Sequence, residues 1–229
     1  MLTTIFTKLP EPGLVKTRLC PPLSPEAAAS LAEAMLLDVV RELDDEGGEG
    51  GDAGVGRLNL SIAPGGGSSS AEREGWFRSR FPELELLVQR GEGLGARLAQ
   101  HFTGQLEAGG HTSAVVVGSD VPELRREHVS RAHAWLHEGA DVVFGPDESG
   151  GYYLVGMSTA RPELFTRVAM STPDMLQRTL ELARELDLAV RVLPVVGDVD
   201  TATDLERLCA EPGRLPPHTR ESLQRLEML

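Results

Sequence analysis

The sequence predicts a three-layer α/β/α sandwich on a mostly parallel, mixed sheet. Three observations carry this expectation. Short apolar runs alternate with helically patterned stretches along the chain. Runs such as Ala114-Val115-Val116-Val117 are apolar without alternation, as in strands covered on both faces. The 229 residues also suffice to bury a sizeable core without disulfide or metal staples. No internal repeat divides the chain, and a single domain over 1–229 is expected.

The elements follow in order. Residues 2–7 read as a strand, leading into a Pro- and Gly-punctuated loop over 8–22. Ser24-Pro25-Glu26 combines an N-cap with a proline suited to a first helical turn, opening a helix over 27–43. Acidic residues and glycines over 44–56 predict a mobile surface loop, because they cannot bury apolar area. A strand over 58–63, a flexible Gly/Ser segment over 65–70, a helix over 71–80 and a strand near 84–89 come next. A helix over 94–107 precedes the buried strand 114–118, and another helix covers 123–138. Strands at 141–144 and 152–157 flank a Gly-rich loop. Thr172-Pro173-Asp174 caps a helix reaching about 186, residues 189–194 form a strand, and a pair of helices ends the chain.

Composition excludes several classes. The net charge of −13 disfavours broad electrostatic binding to nucleic acid or an anionic membrane, so an anionic ligand needs a local pocket. No apolar run approaches the ~20 residues that span a bilayer, and the first residues lack a basic leader, so a cytoplasmic protein is expected. Cys20 and Cys209 lie far apart without ligand spacing and read as ordinary thiols. Trp76 and Trp135 read as packing residues, and His133 with His137 as part of a surface helix face rather than a metal pair.

In such sheets ligands bind beyond the carboxyl ends of the strands. The loop after the first strand holds Lys8, Pro12, Gly13, Lys16, Thr17 and Arg18. Lys8 and Lys16 are the only two lysines in the chain. Backbone N–H groups in such a loop form an anion-binding concavity, lysine adds point charge and arginine a bidentate fork, which together suit phosphate. Neither a Walker loop nor a GxGxxG occurs. After the strand ending at Gly118 comes Ser119-Asp120, and a later loop carries Asp198 and Asp200. Each acidic residue alone could cap a helix. Together with the basic loop they match a Mg²⁺-nucleotide site, where carboxylates hold the metal and the metal bridges phosphates.

These residues carry a family resemblance. Phe6-Thr7-Lys8 with Pro12 to Leu19, Gly118 to Pro122, Gly150-Gly151-Tyr152-Tyr153-Leu154 and Asp198-Val199-Asp200-Thr201, in that order over essentially the whole chain, resemble the bacterial "transferase 1, radical-SAM/selenodomain-associated" family. That family looks like a branch of the glycosyltransferase-A, nucleotide-diphospho-sugar transferase fold, similar to the molybdenum-cofactor and phospholactate nucleotidyltransferases. The resemblance implies that Lys16, Arg18 and Asp120 are catalytic, with Lys8, Pro12, Gly13, Thr17 and Ser119 also at the nucleotide. It places Gln89, Gly91, Gly93 and Gly95 near the nucleoside. Asp120 and Asp200 would hold Mg²⁺ or Mn²⁺, with Asp198 a further candidate ligand. Asp147, Glu148, Gly150, Gly151 and Tyr152 would form the acceptor pocket, where Ser149 replaces the family's usual Asp; Glu92 likewise replaces a common Asp. The expected partners are a nucleoside triphosphate or nucleotide sugar and a small acceptor. Nucleotidyl transfer leads, with glycosyl transfer and non-catalytic nucleotide binding as alternatives.

Overall fold

The computed structural model describes residues 1–44 and 54–229, so most of the acidic loop expected at 44–56 lies outside the described residues. Seven strands form one sheet: β1 (Leu2–Thr7), β2 (Arg57–Ile62), β3 (Glu85–Val88), β4 (Ala114–Gly118), β5 (Val142–Pro146), β6 (Tyr152–Met157) and β7 (Val190–Val192), in the spatial order β3-β2-β1-β4-β6-β5-β7. Only β6 runs antiparallel to its neighbours. The carboxyl ends of β1, β4 and β5 therefore open on one edge, beside the start of β6.

Helices α1 (Pro25–Asp44), α2 (Ser70–Arg80) and α4 (Arg126–His137) cover one face. Their Leu36, Val39, Phe77, Val129 and Leu136 pack on Ile5, Leu60, Val115 and Val117. Helix α3 (Gly93–Thr103), the single turn α5 (Glu163–Thr166) and α6 (Met175–Glu185) cover the other, where Leu98, Phe102, Phe165 and Leu182 meet Val116, Phe144 and Val155. This is the expected three-layer sandwich. The last helices, α7 (Ala202–Ala210) and α8 (Pro217–Arg225), pack on the outer side of α1 through Leu205, Leu208 and Leu223 against Leu31 and Met35. A buried carboxylate fixes α8: Asp38 of α1 accepts from the backbone N–H groups of His218 (3.0 Å) and Thr219 (2.7 Å) at its start, groups that no intrahelical carbonyl can satisfy.

Two expectations shift for physical reasons. The helix expected to run to 107 passes after Thr103 into a π-helical turn over Gly104–Ala108, where Gly109 N–H reaches back to Gly104 O. The Gly/Ser segment 65–70 is held in place. Its Ser69 caps α2 in a reciprocal capping box with Glu72, and Glu11 accepts from Ser68 N–H (2.7 Å), Ser68 Oγ (2.6 Å) and Gly67 N–H (3.3 Å). Cys20 and Cys209 are unbridged and pack beside the α1–α7–α8 core. Trp76 and Trp135 pack against the α1–α2–α4 layer. Among the described residues no helix is long and apolar enough to cross a membrane.

Candidate functional site

Strands β1 and β4 are hydrogen-bonded neighbours, so the loops that follow them emerge side by side. The basic loop is stapled by Leu14 N–H donating to Glu11 O, then turns sharply at Lys16, whose φ of 48° and ψ of 36° place a non-glycine residue in the left-handed region. That conformation costs an L-residue roughly 1–2 kcal/mol, and such strain gathers at functional sites. It starts the 3₁₀ turn Thr17–Leu19 and turns the Lys16 side chain inward, leaving 10% of it exposed.

The Lys16 ammonium pairs with Asp120 after β4 and lies 3.6 Å from Asp200 Oδ1. Arg18 Nη1 stands 2.5 Å from Asp200 Oδ2, with its side chain 68% exposed. Val199 N–H donates to Asp120 O (3.1 Å), tying the two acidic loops together. Burial alone would push Lys16 down, but the Asp120 and Asp200 charges outweigh it and hold the ammonium above the usual lysine value. Asp120 mirrors this: burial favours its neutral form, yet the Lys16 charge wins and holds it below the usual carboxylate range. Asp198 is the odd member. Burial, then the Asp120 and Asp147 charges, push it up to about 6. The cluster carries more negative than positive charge, and an ammonium sits between two of its carboxylates.

Two cavities meet at this cluster. One, about 560 Å³, is walled by Lys8, Lys16, Thr17, Arg18, Gln89, Gly93, Ser119, Asp120 and Asp200. The other, about 530 Å³, is walled by Asp147, Gly151, Tyr152, Asp198 and, again, Arg18, Asp120 and Asp200. The remaining sequence-derived candidates lie elsewhere. Pro12 and Gly13 form the exposed tip of the basic loop. Gly95 lies against Phe165 O, where a Cβ would come within 2.3 Å, so it serves the packing of α3 on α5. Gly91, at φ 109°, lies against Ala96. Gly150, at φ 91°, lies against Pro173 O, again leaving no room for a Cβ. Glu148 turns away from the second cavity and pairs with Arg207, which also donates to Asp198 O (2.8 Å) and lies 3.6 Å from Asp204.

Asp147 organises the Gly-rich loop: its Oδ1 accepts from Ser149 N–H, Ser149 Oγ and Gly151 N–H, each at 2.8 Å. Ser149 thus donates where an aspartate would set a second carboxylate against Asp147. Tyr152 presents its ring to the second cavity, and its hydroxyl contacts Met170 Sδ (3.7 Å). Sequence reading missed Arg97 and Ser171. Arg97 lines the first cavity from a helix, four residues after Gly93, with no local mark beyond its charge. Ser171 lines both cavities at φ 61°, and the following Thr-Pro pair was the available turn signal.

Asp120, Asp198 and Asp200 are hard oxygen donors of the kind Mg²⁺ takes, and the Lys16 ammonium lies between Asp120 and Asp200. No group of three such side chains is arranged to hold a metal by itself among the described residues. Two carboxylates that leave other positions to phosphate oxygens match the magnesium pattern.

A Desulfovibrio desulfuricans G20 protein, named as a candidate nucleotide-diphospho-sugar transferase, is similar over 99% of this chain and 94% of its own, with 29% identity and a TM-score of 0.84. CMP:2-keto-3-deoxy-manno-octonic acid synthetase, solved with CTP, matches 93% of this chain and 98% of its own at 12% identity and a TM-score of 0.56. A cytidylyltransferase from Leptospira borgpetersenii serovar Hardjo-bovis (strain JB197) covers 99% of this chain and 93% of its own, with 10% identity and a TM-score of 0.56. The α/β fold with its seven-stranded mixed sheet is thus the fold of nucleotide-diphospho-sugar transferases and cytidylyltransferases. No curated protein matches the sequence. A family model does, over residues 49–172, which carry Asp120 and the Gly-rich loop but neither Lys16 nor Asp200. The chain belongs to DUF2064, a family of uncharacterized proteins conserved in bacteria.

Proposed function

We propose that the protein is a Mg²⁺-dependent nucleotidyltransferase that moves a nucleoside monophosphate from a triphosphate to a small acceptor, releasing pyrophosphate. The observation that carries this reading is the meeting of two cavities at Arg18, Asp120 and Asp200: transfer needs a donor pocket and an acceptor pocket sharing one charged wall. The resemblance to radical-SAM/selenodomain-associated transferases supports the same reading, and a cytoplasmic location, where triphosphates are supplied, belongs to it.

The donor enters the cavity walled by Lys8, Lys16 and Arg18. Its phosphates draw the Lys16 ammonium off Asp120 and the Arg18 fork off Asp200, freeing both carboxylates. Asp120 and Asp200 would then hold Mg²⁺, which would supply neutralisation of the phosphate charge. An acceptor oxygen, oriented beside Tyr152 and Asp147, bonds to the α-phosphorus as the bond to pyrophosphate breaks. Lys16 and Arg18 stabilise the charge gathered on the phosphates, so the catalysis is positioning and electrostatics without a nucleophilic side chain. Ser119, Gln89 and Gly93 line the donor side and orient the rest of the nucleotide.

Glycosyl transfer is the second reading, favoured by the 29% identity to the candidate nucleotide-diphospho-sugar transferase. Its acceptor base would be Asp147, since Glu148 is held away by Arg207. A thermal-shift panel of the four nucleoside triphosphates and common nucleotide sugars, with and without Mg²⁺, tests both. Magnesium-dependent stabilisation by one triphosphate is the expected outcome. Stabilisation by nucleotide sugars alone overturns nucleotidyl transfer in favour of glycosyl transfer, and a response to neither removes both.

A further inference from the structure

Two loops of like charge wall the second cavity: the Gly-rich loop brings Asp147, and the acidic loop before α7 brings Asp198 and Asp200. Carboxylates that face one cavity repel each other, so the spacing of these loops needs a tie. Arg207, in the last turn of α7, supplies it without lining either the donor cavity or the second one. Its guanidinium pairs with Glu148 of the Gly-rich loop, and its Nη2 donates to Asp198 O of the acidic loop at 2.8 Å. Asp204 Oδ1, 3.6 Å from Nη1, anchors the fork on α7 itself. Gly197 leaves the path open, since a Cβ there would stand 2.3 Å from Nη2. One planar fork thus spans two loops, a task that suits a guanidinium better than a lysine point charge.

The acidic loop is pinned residue by residue. Arg207 takes Asp198 O, Asp120 O takes the Val199 N–H (3.1 Å), and Asp204 Oδ2 takes the N–H groups of Asp200 (3.1 Å) and Thr201 (2.7 Å). The last two ties stay within the acidic cluster and the cap of α7. Among the hydrogen bonds and ion pairs of the described residues, Arg207 alone joins this loop to the Gly-rich loop. Its side chain is 37% exposed and that of Glu148 49%. Exposed ion pairs add little stability, which leaves geometry as the use of this one.

We propose that Arg207 is a positioning residue of the transferase site, holding the loop of Asp198 and Asp200 in fixed register with the loop of Asp147 across the second cavity. The role rests on the transferase reading. Isothermal titration of each nucleoside triphosphate into the full chain, with and without Mg²⁺, tests it on Arg207→Gln beside wild type. The gain in triphosphate affinity that magnesium brings should fall about tenfold or more in the variant, the usual cost of losing a residue that orients metal ligands. Affinity without magnesium should stay within about twofold, because Lys8, Lys16 and Arg18 hold the phosphates and none of them contacts Arg207. The melting temperature of the unliganded variant should fall by no more than about 4 °C. The sign is diagnostic: deleting a positive charge beside carboxylates would by charge alone strengthen magnesium capture, so a loss reports position. Gly197→Ala keeps the charge but displaces the guanidinium, and should lose in the same direction. Arg214→Gln, which removes a neighbouring charge paired only with Glu211 (2.8 Å), should change neither affinity. The role is overturned if Arg207→Gln keeps the full magnesium gain, if Arg214→Gln loses as much, or if both affinities fall together with a large drop in melting temperature, the mark of a structural anchor. A wild type indifferent to magnesium removes the metal-nucleotide reading itself, and this role with it.

Discussion

Strands β1 and β4 carry a buried polar cluster at each end, and the two differ in kind. At the amino ends, His133 of α4 bridges Thr3 Oγ1 (3.0 Å) and Ser113 Oγ (2.8 Å), with 1% of the histidine exposed and both ring nitrogens engaged. At the carboxyl ends, Lys16, Asp120 and Asp200 form a charged cluster that opens into two cavities, beside Asp198, which burial and the neighbouring carboxylates push up to about 6. The first is neutral, satisfied and closed, and it holds strands and helix together. The second is charged, unbalanced and open, which is what a site for an anionic ligand and a cation requires. Burial and perturbed titration are common to both; charge imbalance and access separate structure from function.

The largest expected effect breaks the neutral cluster with acid. Burial lowers His133 from an ordinary 6.5 to about 4. The unfolded chain therefore binds a proton that the folded chain refuses. This contribution is whole above pH 6.5 and is lost as pH falls from 6.5 to about 4. It amounts to roughly 3 kcal/mol, since one pKa unit is about 1.4 kcal/mol. Denaturant unfolding at pH 7.5 and 4.5 should show wild type losing clearly more stability than His133→Gln; equal losses would put the acid sensitivity elsewhere.

The charged cluster is sharpened by substitutions that leave its shape alone. Asp120→Asn should remove the magnesium-dependent stabilisation by triphosphate, about 2.7 kcal/mol at 100 times the dissociation constant, as read by thermal melting. Lys16→Met should weaken triphosphate binding by about 1.5–3 kcal/mol, measured by titration, because a charged donor to phosphate is lost. The smallest effect belongs to Arg18→Gln on the unliganded fold: its pair with Asp200 is largely exposed, so unfolding free energy should change by no more than about 1 kcal/mol. A larger loss would make Arg18 a structural anchor.

Much of this was legible in sequence. The continuous apolar runs at β4 and β6 gave strands directly, and the placement of Lys16, Asp120 and Asp200 after strand-like segments brought the right residues to one edge. That Lys16 rests between the two carboxylates was not legible, because the contacts span 104 and 182 positions for Lys16–Asp120 and Arg18–Asp200 and depend on sheet order. The burial of His133 was legible and misread. With Val129, Ala132 and Leu136 it falls at the i, i+3, i+4, i+7 positions of the inward face, so the surface reading fails for His133 while His137, four residues on, is exposed. Asp38 beneath α8 and Glu11 beneath the 65–70 segment carry no local signal at all, since a carboxylate that caps a distant N–H resembles any other charge on a helix or loop.

The most direct test of the account is isothermal titration of each nucleoside triphosphate into wild type and Asp120→Asn, with and without Mg²⁺. One triphosphate should bind wild type in a magnesium-dependent manner and lose that dependence in the variant. Binding that is indifferent to magnesium, or unaltered by Asp120→Asn, would contradict a metal-nucleotide site at the carboxyl ends of β1 and β4.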